Sequence, residues 1–308
     1  MNNRVLLDTL AYLGRLVFNV RLTALHLTRF FTVAILDDSS TGAAMSYYTL
    51  SDEALWRLER YLMDFCGGPI DIGRLVTLQD KLGTEIEDST ERAYIAASVM
   101  TSIASALSSK FIRAGGDECF QVIHRLPTNW TKGAESALVV GFGGFLEPLI
   151  ETETMKEIHV VDLRYERKKD EFSSQIQIWK QNHPCKMITA SAEVSHETGL
   201  RKFDLLSITG STLCNGTLEF FLSNVREDAI VILQGQSASL YPQVLFQSGV
   251  QWVATTLKPA TLGTLARERR DGAPMRPLLQ GGLPWLYLFP RVVRHDSHAF
   301  HCEDDFNH

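Results

Sequence analysis

From residue 136 the chain consists of short, nearly unbroken apolar runs separated by helix-forming segments: SALVVGF, EIHVVDL, KMITA, FDLLSITG, AIVILQG and VQWVATTL. No other feature constrains the fold as tightly. A strand with one wet face alternates apolar and polar residues, whereas a run that is apolar throughout must be buried on both faces. Buried strands joined by helical connectors run parallel, because each right-handed crossover returns the chain to the same end of the sheet. Six such runs predict an α/β fold built on a Rossmann-like, doubly wound parallel sheet.

The first hundred residues follow a different period. VFNVRLTALHLTR, FFTVAILDD and GAAMSYYTL alternate and are rich in β-branched and aromatic residues, with DDSSTG marking a turn, so residues 17–48 predict an antiparallel meander. Ser51, followed by Asp52 and Glu53, predicts the cap of a helix over DEALWRLERYLMDF that stops at Gly67 and Gly68. Residues 88–109 predict a long helix, and the small residues Ala96, Ala97, Ser98, Ser102 and Ala104 imply that another element packs closely on it. Gly115, Gly116 and the LPTNW turn place a linker over 111–135. The expected division is a smaller α+β domain over 1–115, a Rossmann-like ligand-binding domain over 116–270 and a C-terminal arm over 271–308. That arm holds LPWLYLF and little periodicity, and either covers a site or meets a second copy in a homodimer.

Bulk properties remove several classes of function. A chain of 308 residues is long enough for two cores, and its net charge of −6 supplies no basic field, so nucleic acid is not an expected partner. Cys66, Cys119, Cys185, Cys214 and Cys302 are widely spaced with no CxxC pair, which predicts reduced thiols in a cytoplasmic protein. The opening MNNRVLLDTLAYLGRLVF is too interrupted by Arg and Asp to predict a signal peptide or a membrane span. GxSxG, HExxH and P-loop patterns are absent. His295, His298, His301 and Cys302 are a candidate metal-binding run, with a solvated tail as the alternative.

In an open parallel sheet ligands bind beyond the carboxyl ends of the strands, and four strand ends carry suggestive residues. After the first run, Gly141, Gly143 and Gly144 allow a tight turn and close approach of a ligand, with Glu147 and Pro148 opening a helix; a plain turn is the alternative. Asp162 ends the second run about twenty residues later, where a carboxylate can accept both hydroxyls of a ribose or merely cap a helix. After the fourth run, Thr209, Gly210, Ser211, Thr212, Asn215 and Thr217 crowd one loop before TLEFFLSNV. They predict a site for a carboxylate or phosphate, or else a set of caps and turns. Gly235, Gln236 and Ser237 follow the fifth run with the same logic, less distinctively.

Three stretches, VGFGGFLEP, ITGSTLCNGTLEFF and GQSASLYPQVLFQSGVQWVATT, resemble in content and order the motifs of the heavy-metal chelation domain family, long carried as a domain of unknown function. The resemblance implies an enolase-N-terminal-like domain before the Rossmann-like one, with a site between them. Its motif positions are Gly141, Gly143, Thr209, Gly210, Ser211, Asn215, Gly216, Thr217 and Gly235; Gln236 stands where the family usually has proline.

These residues predict an enzyme that uses an adenosyl cofactor, S-adenosylmethionine, as a transferase or lyase in small-metabolite or chelator biosynthesis. Gly141, Gly143 and Asp162 would hold the adenosine, and the 209–217 loop with Gly235 a carboxylate. Phe30, Phe31, Tyr47 or Tyr48 would wall the substrate, beside Glu147. A sulfonium leaves as a neutral group, so positioning and aromatic faces suffice and no triad is required. The other reading is a non-catalytic protein that binds a heavy metal or a metal–chelate complex between the domains.

Overall fold

The computed structural model describes residues 3–143, 145–193, 197–268 and 271–291. The alternating N-terminal runs form strands β1 (Arg21–Leu27), β2 (Phe31–Leu36) and β3 (Thr41–Met45), joined by the short β4 (Gly68–Pro69) in an antiparallel sheet of order β3-β2-β1-β4. Ser51 caps the helix Asp52–Cys66 by accepting from the Ala54 amide, and Asp88 caps the helix Ser89–Arg113 by accepting from Thr90 and Glu91.

The long helix lies against β3 at very short range. A Cβ on Gly42 would run into the backbone of Ser102 and Ala106, so only glycine opposite small side chains permits the approach. Although long and apolar enough to cross a membrane by composition, this helix has 89% of its apolar window buried within the fold. An N-terminal helix, Arg4–Leu16, adds to the same core. Its buried Val5, Leu6, Leu10 and Leu13 recur at helical spacing, a 3.6-residue period present in the sequence but masked by the intervening charges.

Strand β5 (Phe120–Ile123) falls within the expected linker. After it come the six parallel strands β6 (Ser136–Val140), β7 (Glu157–Val161), β8 (Met187–Ser191), β9 (Leu205–Thr209), β10 (Ile230–Gln234) and β11 (Trp252–Thr255), and then β12 (Leu286–Pro290). The sheet order is β5-β12-β11-β10-β9-β6-β7-β8. Counted from β6, the parallel strands lie in the order 3-2-1-4-5-6 of a doubly wound dinucleotide-type fold, with the reversal between β6 and β9.

Two expectations need correction. The segment LPWLYLF is not an irregular arm: it holds β12, which pairs antiparallel with β11 and β5 and buries Leu286, Tyr287 and Leu288. Without it β11 would present an open edge. Nor does 111–135 separate two independent bodies. One apolar cluster runs from Leu10, Leu25 and Leu55 through Ile103 to Leu138, Leu206 and Leu233, so the N-terminal domain and one face of the large sheet share a core. The other face packs its own cluster around Trp252, Phe145 and Ile158.

Candidate functional site at the strand reversal

The loops after β6 and β9 meet where the sheet reverses. Gly141 has φ +91°, a conformation that disfavours side chains, and a Cβ there would lie 2.9 Å from Thr209 Cγ2. Gly210 is equally confined: its amide donates to the Gln234 carbonyl at 2.6 Å, and a Cβ would strike the Ala238 amide. Gly235 (φ +109°) lies beside Thr209, so the turns after β6, β9 and β10 converge. Gly143 sits in an exposed turn with open space around it.

The N-terminal domain reaches this convergence through Tyr47. Its hydroxyl lies beside the Ser211 side chain, while burial pushes the phenol up to about 12. Ser211 in turn donates to Thr209 Oγ1 at 3.2 Å. Nearby, the Met45 amide donates to Ser237 Oγ at 2.9 Å and Ser98 Oγ donates to the Met45 carbonyl at 2.8 Å. Cys214 is enclosed by the hydroxyls of Ser98, Thr101 and Ser237, and its burial raises the thiol to about 11. It is a protonated packing residue at neutral pH.

Asp162 stands at the carboxyl end of β7, 7% exposed. Its Oδ2 accepts from the Phe142 amide at 2.8 Å and from Arg164 Nη2 at 2.7 Å. Its Oδ1 accepts from the Arg164 amide at 2.8 Å and Arg164 Nε at 2.9 Å. Burial raises the carboxyl, but the Arg164 guanidinium and the two amides outweigh it and hold it below the usual carboxylate range. All the acceptor positions of the carboxylate are taken within the chain. Phe142 is fixed by stacking on Phe172, with ring centroids 4.2 Å apart.

Other expected residues serve the backbone. Asn215 Oδ1 accepts from the Thr217 amide at 3.2 Å and the Thr217 hydroxyl at 2.7 Å, and Gly216 turns left-handed (φ 70°) before the helix Leu218–Asn224. Thr212 Oγ1 donates to the Thr209 carbonyl at 2.7 Å. The helix expected over TLEFFLSNV forms as Leu218–Asn224, with Asn215 holding the turn before it and Thr217 at its N-cap position without a side-chain cap. Phe31 is not a substrate wall: it is 3% exposed and packed with Val33, Leu262 and Met275. Tyr48 is likewise buried, hydrogen-bonded to Thr32, and Phe30 is covered by the Arg276 guanidinium, 3.5 Å from its ring centroid. Glu147 lies exposed on the helix Leu146–Glu151. His295, His298, His301 and Cys302 lie outside the described residues.

Arg164 was not singled out from the sequence, although its place two residues beyond Asp162 was a signal. Among the described residues no cluster of His, Cys, Asp and Glu side chains could hold a metal ion.

The chain matches the model of a family described as "Putative heavy-metal chelation" over residues 132–267. No curated protein matches it. Among solved structures it is similar to a member of that family of unknown function from Pyrococcus horikoshii. That pair has a TM-score of 0.57 at 13% identity, covering 93% of this chain and 100% of that one. A second member, from Desulfitobacterium hafniense, has a TM-score of 0.58 at 17% identity, covering 91% of this chain and 96% of that one. At these identities the likeness is one of fold, and it extends over both domains. Residues 132–267, which hold the three sequence motifs, are thus similar to the domain of the family described as "Putative heavy-metal chelation", and the fold likeness to two members of that family runs beyond them.

Proposed function

We propose that the protein is an enzyme that binds an adenosyl cofactor, S-adenosylmethionine, at the β6/β9 reversal and catalyses alkyl or aminocarboxypropyl transfer, or cyclisation, on a small metabolite. The observation that carries this reading is the convergence of Gly141, Thr209 and Ser211 with Tyr47 at the point where doubly wound sheets bind their ligands.

The residues fit an adenosine on one condition. Asp162 is ionised and correctly placed at the end of the second parallel strand, but Arg164 Nε and Nη2 occupy the two acceptor positions that a ribose diol would use. The side chain of Arg164 is 45% exposed, so on swinging outward it would give up its two bonds to Asp162, which a ribose diol would replace, and a longer one to the Phe142 carbonyl at 3.4 Å. Gly141 lets the turn after β6 close directly on Thr209, Ser211 supplies a hydroxyl for a carboxylate, and Tyr47 supplies an aromatic face suited to a sulfonium. The bound cofactor would supply an activated carbon next to a neutral leaving group. The chain's part is then to orient the reactants and exclude water.

A second reading, binding of a metal–chelate complex, is favoured by the family description and by the half-exposed Arg164 cation, which would meet the carboxylates of a preformed chelate. Calorimetry separates the two. Titration with S-adenosylmethionine is expected to release heat with 1:1 stoichiometry, while free Zn, Ni or Co salts leave the purified chain silent. Heat from the metal salts and none from S-adenosylmethionine would reverse the assignment.

A further inference from the structure

Between the end of the helix Arg4–Leu16 and the turn into the short helix Ile72–Val76 lies a pocket of about 460 Å³, within the size range of small-molecule sites. Leu13 and Leu107, both buried, form its floor, and Val17, Ile70 and Ile72 are half-buried along its walls. Ala11, Arg15, Asn19 and Asp71 are exposed around its mouth. A Cβ on Gly14 would lie 2.8 Å from Ile72 Cγ1, so the two walls meet at that point. The pocket is thus open to solvent and apolar within.

Two opposite charges line it without pairing with each other. The Arg15 guanidinium lies 5.1 Å from the Tyr12 ring centroid and has no carboxylate partner among the described residues. Asp71 Oδ1 accepts from the Arg74 amide at 3.2 Å, capping the short helix, while its Oδ2 accepts nothing among the described residues. At the end of the first helix the carbonyls of Gly14, Arg15 and Leu16 accept no hydrogen bond within the described chain, and they carry the negative end of the helix dipole. A simple anion would face Asp71 and these carbonyls, and a simple cation would face Arg15. A ligand with one charge of each sign and an apolar tail matches the whole lining.

We propose that this pocket binds an α-amino acid with a large apolar side chain. The carboxylate meets Arg15, the ammonium lies between Asp71 and the open carbonyls, and the side chain rests on Leu13, Ile72 and Leu107. The site is separate from the strand reversal: Leu107 and Ser98 share the helix Ser89–Arg113 but lie about 14 Å apart along its axis. The assignment therefore does not depend on the adenosyl reading.

The test is calorimetric titration of the full-length chain with L-leucine, L-methionine and L-phenylalanine. Isocaproate and isoamylamine, the leucine analogues lacking the ammonium and the carboxylate, are titrated beside them. The three amino acids are expected to saturate one site per chain, with each analogue at least about tenfold weaker than leucine. Arg15→Gln is expected to weaken leucine by a similar factor and leave isoamylamine unchanged. Asp71→Asn, which keeps the cap, is expected to weaken leucine without weakening isocaproate. Ala11→Trp, filling the mouth from an exposed position, is expected to abolish binding. No saturable heat from any of the amino acids, or an analogue that binds as tightly as leucine, overturns the assignment. So does an Arg15→Gln chain with unchanged circular dichroism and unchanged affinity for leucine.

Discussion

Arg164 donates three of the four hydrogen bonds that saturate the Asp162 carboxylate, two of them from its guanidinium. The pair closes the position that a Rossmann-like fold normally offers to a ribose, so ligand binding there is a competition between side chain and ligand for one carboxylate. On this basis Arg164→Ala should bind S-adenosylmethionine more tightly than the natural chain. Removing an internal competitor whose two bonds contribute about 1.4 kcal/mol net corresponds to about a tenfold lower Kd by calorimetry. Unchanged or weaker binding by the variant would mean that Arg164 does not block the pocket.

The same pair gives the fold an acid-sensitive element. Asp162 titrates lower in the folded chain than in the unfolded one, so its contribution is fully present above the unfolded value of about 4 and is lost as pH falls through the lower folded value. Asp162→Asn should therefore be less stable than the natural chain by about 1–3 kcal/mol at pH 7, and the gap should shrink towards pH 3. Urea midpoints at the two pH values measure this. A gap that persists at pH 3 would assign the loss to packing.

Gly210→Ala tests the convergence of the strand-end turns. Its added methyl would meet the backbone of Ser237 and Ala238, which is itself pinned beneath β3, so nothing can give way cheaply. A loss of about 2 kcal/mol or more in denaturant unfolding is expected. At Gly143, where a Cβ meets open space, alanine should change stability by less than about 0.5 kcal/mol.

Ser237→Ala removes the acceptor of the Met45 amide and one of the hydroxyls around the Cys214 thiol, both at the junction of the two domains. The orphaned amide should cost about 1–3 kcal/mol. Because the domains share one core, unfolding should remain a single transition by fluorescence and circular dichroism; two separated transitions would contradict the shared core.

Much of the architecture was legible because it rests on local period. SALVVGF, EIHVVDL and their successors read as buried parallel strands, and Ser51 with Asp52 and Glu53 as a helix start, since both patterns depend on neighbours within a few residues. The Gly141 and Gly210 turns were legible for a related reason: only glycine tolerates the backbone conformation at one and the close approach at the other. LPWLYLF was opaque, because its strand character depends on β11 needing a partner on its open side.

The roles of individual side chains lay beyond that reach. Phe31 and Tyr47 are both aromatic residues of the first meander, yet one is sealed into a core with Leu262 and Met275 while the other meets Ser211. Hydroxyls equally suggestive in the sequence divide into Ser211, which meets Thr209 and Tyr47 at the strand reversal, and Thr217, which donates to Asn215. By itself, then, the sequence determined the six parallel strands, their tight turns and the family motifs, because period and backbone conformation are properties of short stretches. Tertiary structure alone decided that Arg164 fills the carboxylate of Asp162 and that Tyr47 reaches the strand reversal, because burial and partner choice are set by residues far apart in the chain.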